Sequence, residues 1–302
     1  MIPKDRSKIE TELQNDNSRN LHQKNIQECL DLIGNEDQRV FSAIQLAKPK
    51  IQDFLEKAVP LFEKGGRVFY IGAGTSGRLG VLDASEIPPT YQMPPGRFIG
   101  IIAGGDGALR KSSEGKEDDI NGSHEILKEN NLQENDILIG IAAGGTTPYV
   151  LGAFTYAKKI SKKILTGYIV CTEIPKPDSV DHLIYLSTGP EIVTGSTRMK
   201  AGTATKMVLN MISTTIMIQT GRVYDNLMVD LKASNEKLID RAIRIIVSLT
   251  DLSRQDAFEL LKKADYQTKP AIVMFFKKVS YQESLLLLEK NKGRLNFLKG
   301  EK

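Results

Sequence analysis

Two stretches of this 302-residue chain gather the residue types that hold anions. Between Gly189 and Lys206, the hydroxyls of Thr194, Ser196 and Thr197 and the cations Arg198 and Lys200 stand just ahead of an apolar helical pattern from Met207 to Met217. The first turn of a helix has unpaired N–H groups and the positive end of the macrodipole. Hydroxyls and cations clustered there suit a phosphate or a carboxylate. Plain N-capping is the alternative, since Ser and Thr favour that position whether or not anything binds. Capping needs one such residue, however, and three precede two cations here. The second stretch is Gly72-Ala-Gly-Thr-Ser-Gly77, between a short apolar run, Arg67 to Ile71, and a helical pattern. Its Thr75, Ser76, Gly77 and Arg78 form a second candidate phosphate turn, because glycines admit close backbone approach and the hydroxyls face the helix start. A third turn, Ala143 to Pro148, carries Thr146 and Thr147 ahead of another helix. Three such turns in one chain argue for a ligand cleft at the carboxyl edge of a parallel sheet. The spacing Gly72, Gly74, Gly77 also fits the dinucleotide pattern, but the acidic residue expected about 20 positions on, at the end of a second strand, is missing. Thr90 to Gly96 is a proline-rich loop instead.

Two carboxylates could do proton chemistry beside these turns. Glu86 stands where a helix beginning near Gly77 is expected to stop, because Pro88 and Pro89 cannot continue it. The negative end of a helix dipole disfavours a carboxylate, which suits a proton donor. Glu117 precedes a helical stretch containing Ile126 and Leu127, and a helix start favours the ionised form, which suits a base. Environments that push two carboxyl groups in opposite directions mark acid and base assignments. Taken singly, Glu86 also fits a surface residue, and Glu114 to Asp119 also fits a solvated acidic loop.

The elements that must position these groups follow from periodicity. Apolar spacing is helical from Asn25 to about Phe62, after a polar segment, residues 1 to about 20, expected to be a loosely ordered arm. Strands are predicted at 67–71, 97–103, 136–142, 164–170 and 183–187, alternating with helices. That alternation reads as an open, doubly wound parallel sheet with helices on both faces. After Asn226 to Asp230 the pattern is purely helical, at about 236–249, 254–263, 268–275 and 281–289. The expected division is a helical arm, 1–62, an α/β domain, 63–226, and a small helical domain, 227–302.

Composition narrows the function. Hydrophobic residues make up 40% and charged residues 26%, ordinary for a globular protein. A net charge of +4, with 41 basic against 37 acidic residues and no basic run, argues against nucleic acid. Cys29 and Cys171 lie far apart, which fits a reduced, cytoplasmic setting. The polar start reads as no export signal, and no apolar run is long enough to span a bilayer. His22, His124 and His182 are scattered without ligand spacing, so no metal site is expected.

Several long strings, in order, resemble the N-acetylmuramic acid 6-phosphate etherases, sugar-phosphate lyases built on the sugar isomerase (SIS) domain, which share a signature with the glucokinase regulatory protein. The likeness runs from about Gly66 to the C-terminus. It includes Gly72 to Gly80, Leu82-Asp-Ala-Ser-Glu86, Pro88 to Tyr91, Ala103-Gly-Gly105, Glu114-Gly-Lys-Glu-Asp118, the whole 189–206 run, Asn226 to Asp230, Asn235 to Leu238 and Ala271 to Met274. The resemblance implies that Glu86 is the acid and Glu117, not Glu114, the base. It further implies a sugar-phosphate substrate with a lactyl ether on C-3, elimination followed by hydration, no metal or redox cofactor, and a homodimer. The chain departs from the family pattern at Gly144 and Thr146, which replace a hydroxyl and a cation of the third turn, and at Cys171-Thr-Glu-Ile-Pro175. These departures touch substrate grip more than the carboxylates. An aldose–ketose isomerase on the same domain, or a non-catalytic sugar-phosphate-binding regulator, are the competing readings.

Overall fold

The computed structural model describes residues 5–113 and 115–298. Its chain falls into two compact units, Met1–Ser85 with Gly96–Ser213, and Glu86–Pro95 with Thr214–Lys302. The first unit therefore takes in the N-terminal helices as well as the sheet, and a ten-residue segment starting at Glu86 goes with the C-terminal helices.

The first unit is built on five strands: β1 (Val68–Gly72), β2 (Phe98–Ile102), β3 (Ile137–Ile141), β4 (Leu165–Val170) and β5 (His182–Tyr185). They run parallel in the order β2-β1-β3-β4-β5. β1, β3 and β4 are buried along their whole length, which is why their sequences are nearly unbroken apolar runs rather than alternating ones. The five strands stand where the periodicity put them.

Both faces of the sheet are covered by helices that meet glycines. α2 (Arg39–Glu63) packs on β3, β4 and β5. Its Phe54 is fully buried over Gly167, where any Cβ would come within 2.7 Å of the ring. α6 (Pro148–Ile160) covers β1 and β3, and its Phe154 sits over Gly140 and edge-on to Tyr168. Gly167 and Tyr168 are adjacent in β4, so their opposite facings put α2 and α6 on opposite sides of the sheet.

Three helical expectations are corrected. α3 runs from Gly74 to Tyr91 and carries Pro88 and Pro89 inside its last turn. A proline ring holds φ near the helical value, so the chain keeps winding there while losing two N–H donors. α7 spans Lys200–Gln219 and so begins well before Met207. The polar arm is ordered: residues 5–23 make three short 3-10 turns, and Thr11 and Asn15 are buried. Glu10 accepts a hydrogen bond from the Tyr185 hydroxyl at 2.7 Å, and Gly195 N–H donates to the Thr11 carbonyl at 3.2 Å.

α1 (Ile26–Asp37) ends against a buried charge pair. Glu36 meets the Lys200 ammonium and accepts hydrogen bonds from the side-chain amides of Asn15 at 2.7 Å and Asn17 at 2.8 Å. Burial works against ionisation of Glu36, but these donors outweigh it and hold the carboxyl at about 2, below its ordinary 4.5.

In the second unit α8 (Glu236–Thr250), α9 (Arg254–Lys263), α10 (Thr268–Lys277) and α11 (Tyr281–Lys290) enclose Ala242, Ile246, Leu261, Ile272 and Val273. Asn235, Ser253 and Ser280 cap three of these helices, each accepting a backbone N–H in the first turn. The four helices match the sequence pattern closely.

The depressed Glu36 carboxyl makes a signed prediction. A group whose folded pKa lies below its unfolded value stabilises fully above the unfolded pKa, and that contribution disappears as pH falls through the folded one. Glu36→Gln should therefore lower the melting temperature by a constant amount above about pH 5. The gap to the parent should close between about pH 4.5 and 2. A gap that stays constant down to pH 2 in thermal melts would show that Glu36 is not held ionised.

Candidate active site

The strand order creates the crevice. From β1 the chain leaves through α3 to reach β2 on one side, and from β3 it leaves through α6 to reach β4 on the other. The turns after β1 and β3 thus part at adjacent strands, which is the switch point where open α/β sheets take ligands.

In the first turn, Gly72 must be glycine, because a Cβ there would lie 2.8 Å from the backbone nitrogen of Gly77. Gly77 itself is buried against Ile102 of β2, where a Cβ would come within 2.6 Å of that side chain. The glycine spacing that imitates a dinucleotide fingerprint is thus explained by the tight turn and by close packing of α3 on the sheet. Thr75 and Ser76 are half-buried in the first turn of α3. Arg78 turns aside: its guanidinium donates to the carbonyls of Ala108 at 2.8 Å and Leu109 at 3.1 Å, in α4 (Gly107–Arg110).

In the third turn, Thr147 is the residue before α6, yet its hydroxyl makes no capping hydrogen bond. Pro148 takes the first helical position, which needs no N–H partner. Thr146 is exposed. Beside this turn the arm brings in Thr11, whose buried hydroxyl has no hydrogen-bond partner among the described residues. It lies 3.6 Å from the point where a Cβ of residue 144 would stand.

Glu117 is exposed and lies in a turn, well before α5 (His124–Glu129), so the reason for expecting it at the head of that helix does not hold. The helix start it meets is that of α6, since the Tyr149 N–H donates to the Glu117 carbonyl at 3.0 Å. The same segment crosses α6 so closely that a Cβ at Gly152 would come within 1.6 Å of the Ile120 carbonyl oxygen. The backbone of Glu117 is therefore held at the first turn of α6. A cleft of about 450 Å³ adjoins it, lined among others by Gly104, Gly105, Asp106, Lys116, Asp119 and Tyr149. Burial, with the Asp119 charge beside it, pushes the Tyr149 hydroxyl up to about 12. Glu114 lies outside the described residues.

Glu86 is exposed on α3. Because α3 continues to Tyr91, Glu86 is not its last residue, and the argument from the negative end of the dipole lapses.

The 189–206 run differs most from expectation. The first N–H groups of α7 already have an anion: Glu191 accepts from Lys200 N–H at 3.1 Å and from Ala201 N–H at 2.9 Å. Its carboxylate is fully buried, and burial pushes its pKa up against those two donors. Lys200 does not offer its ammonium to a ligand, being fully buried and paired with Glu36. Ser196 and Thr197 are half-buried in the turn before the helix. The turn leads into Gly202 of α7, where a Cβ would sit 3.3 Å from the Thr197 carbonyl oxygen and 3.6 Å from the Thr75 methyl, so the first turn of α7 packs on the first turn of α3. A buried Asp83 keeps α3 and α7 in this relation, accepting from Asn210 at 2.7 Å and from Ser213 at 3.1 Å. Burial pushes the Asp83 carboxyl up despite these donors. The sequence reading missed Glu191, Glu36, Asn15 and Asp83. Their partners lie far off in the chain or sit in a cap that no short pattern specifies.

Among the described residues no group of three or more His, Cys, Asp or Glu side chains could hold a metal ion. No described helix is long and apolar enough to cross a membrane.

Comparison with known proteins places this geometry. Residues 50–158 match the glucokinase regulatory protein N-terminal SIS domain, and residues 225–290 match the C-terminal lid domain of glucokinase regulatory protein. An N-acetylmuramic acid 6-phosphate etherase from Staphylococcus epidermidis is 46% identical over 286 residues, covering 94% of this chain and 96% of that protein. The chain belongs to the N-acetylmuramic acid 6-phosphate etherase family. An N-acetylmuramic acid 6-phosphate etherase 1 from Bacillus licheniformis is 47% identical over 94% of this chain and 93% of its own length. One from a Picosynechococcus species is 46% identical, with 96% of each chain covered.

Ser196, in the turn that leads into α7, tests whether these turns grip phosphate. A hydrogen bond to a charged group contributes about 1.5–3 kcal/mol. Ser196→Ala should therefore weaken substrate affinity on the order of tenfold or more, measured as KM for the phosphorylated sugar. The unphosphorylated sugar should be handled little worse by the variant than by the parent. Equal discrimination between the two sugars by parent and variant would place the phosphate elsewhere.

Proposed function

We propose that this protein is a carbon–oxygen lyase that cleaves the lactyl ether of N-acetylmuramic acid 6-phosphate, releasing D-lactate and N-acetylglucosamine 6-phosphate. The observation that carries the reading is the chain's membership of this family; the first turn of α7 packed on Thr75 of α3, and the Glu117 backbone held at the start of α6, support it. Such a reaction belongs to the breakdown and recycling of cell-wall amino sugars.

The chemistry follows from the substrate. In the open-chain aldehyde the carbonyl acidifies the C-2 proton, and Glu117 removes it. The electron pair left on C-2 forms a C-2–C-3 double bond as the C-3–O bond breaks, and Glu86 gives its proton to the departing lactyl oxygen. Water then adds at C-3 of the unsaturated aldehyde, helped by one of these carboxylates, and C-2 regains a proton. General acid–base help of this kind contributes about 10²–10⁴-fold per group. The hydroxyls of Thr75, Ser76, Thr147, Ser196 and Thr197 hold the phosphate, and Thr146 edges the sugar. Arg78 shapes the pocket through α4 rather than by touching the ligand.

The two carboxylates fall in different units of the chain. From Thr75 to Glu86, α3 rises about 16 Å at about 1.5 Å per residue, further than a hexose phosphate reaches comfortably. We infer that the protein works as a homodimer whose subunits complete each other's sites, within the cytoplasm where phosphorylated sugars are kept.

Glu117→Gln should release no D-lactate and exchange no C-2 proton with heavy water, because the group proposed to remove that proton is gone. Glu86→Gln should keep part of that exchange while ether cleavage collapses, since only leaving-group protonation is lost. Near-normal exchange in the first variant, or equal loss of both steps in the second, would reverse the assignment. An isomerase would exchange the C-2 proton of its sugar phosphate and release no D-lactate.

Mixing the two variants should restore part of the activity through heterodimers with one intact site. A monomer with full turnover in the ultracentrifuge at assay concentration would rule out the shared site.

A further inference from the structure

At the start of α7 lies a set of charged groups that the proposed chemistry does not use. Lys200 and Glu191 are fully buried, Glu36 is 3% exposed and Asn15 is 7% exposed. They come from the arm, from the end of α1 and from the 189–201 run. Asn15 donates both to Glu36 at 2.7 Å and to the Pro190 carbonyl at 3.0 Å, Asn17 donates to Glu36 at 2.8 Å, and Arg39 stands 3.5 Å from its other side. Glu191 closes the circuit by capping the N–H groups of Lys200 and Ala201.

Between these two anchors runs the turn that carries Ser196 and Thr197. Its own bonds are short-range: Ser196 N–H donates to the Val193 carbonyl and Thr197 N–H to the Gly195 carbonyl, each at 2.9 Å. What fixes the turn in space is therefore its two ends, at Pro190–Glu191 and at Lys200, together with the Thr11 carbonyl that holds Gly195. For stability alone a buried ion pair is a weak choice. Its desolvation cancels most of the attraction, and apolar side chains of similar size often do as well or better. Charges with directed hydrogen bonds do, however, fix position, whereas an apolar contact tolerates sliding.

We propose that the Glu36–Lys200 pair is a positioning device that sets the Ser196–Thr197 turn against the first turn of α3. Glu191 supplies the anion for α7. The substrate phosphate is consequently held between the Thr75–Ser76 and Ser196–Thr197 turns, and not on the first N–H groups of α7. The inference rests on the reading of the site as a sugar-phosphate site.

The test compares two variants of the full-length protein with the parent. Glu36→Leu with Lys200→Met removes both charges at once, which avoids stranding one of them. Asn17→Ala removes one exposed donor to Glu36 and leaves the fold intact. Three quantities are measured: the melting temperature, KM and kcat for D-lactate release, and the Kd for inorganic phosphate by calorimetry. The double variant is expected to melt within a few degrees of the parent. Its KM and its phosphate Kd should both rise by about tenfold or more, with kcat falling by less than about threefold. Asn17→Ala should raise both constants by about threefold while lowering the melting temperature by no more than a few degrees. A double variant that melts like the parent and keeps the parental KM and phosphate Kd would overturn the proposal. Should it fail to fold, unchanged constants in Asn17→Ala would do the same. A parent that binds inorganic phosphate yet releases no D-lactate would refute the reaction and leave the positioning test standing on the calorimetry.

Discussion

Everything near the candidate site depends on one constraint of topology. β1 and β3 are neighbours in the sheet, but the connections that leave them run in opposite directions. Two right-handed crossovers cannot cover the same strip of sheet edge, so the turns after β1 and β3 must separate. The turns on either side of that gap carry Thr75 and Ser76 after β1 and Thr147 after β3. No side chain makes that gap; the strand order does. Side chains decide only what it holds.

Helix ends settle the next question, which is where an anion can go. A helix start is a place for one negative group, and α7 fills its own with Glu191. The same accounting leaves α6 differently placed, since Thr147 does not spend its hydroxyl on the cap. Two helix starts that look alike as strings of small hydroxylated residues are thus in different states, one capped by a buried carboxylate and one without a side-chain cap. Buried charge then propagates the effect, because Lys200, with its N–H on Glu191, has its ammonium on Glu36 and so ties α7 to α1 and to the arm.

The fold was largely legible in the sequence. Strands buried on both faces write themselves as apolar runs, and the four C-terminal helices repeat a 3.6-residue spacing between clear caps, so both kinds of element were found within a few residues. The helix ends were less legible. Pro88 and Pro89 read as a stop, yet their ring geometry suits the last turn of α3, and the small residues from Lys200 to Thr205 carry no apolar period to announce α7. Of the site, the hydroxyl turns were visible because their residue types are local. The ammonium of Lys200 was misread as a ligand group, because a cation's partner cannot be seen in one dimension. Glu36 is 164 residues away along the chain.

The crossing of residues 117–122 over α6 has a consequence for how this site can vary. With the Ile120 carbonyl 1.6 Å from the place of a Cβ, position 152 admits no side chain while the crossing stays where it is. The constraint comes from an atom that is not there, so no inventory of polar or charged groups would reveal it. The segment that carries Glu117 is thereby fastened to α6 at a residue with no chemistry of its own. A redesign of this enzyme for another sugar could exchange every hydroxyl in the cleft and still fail at that glycine.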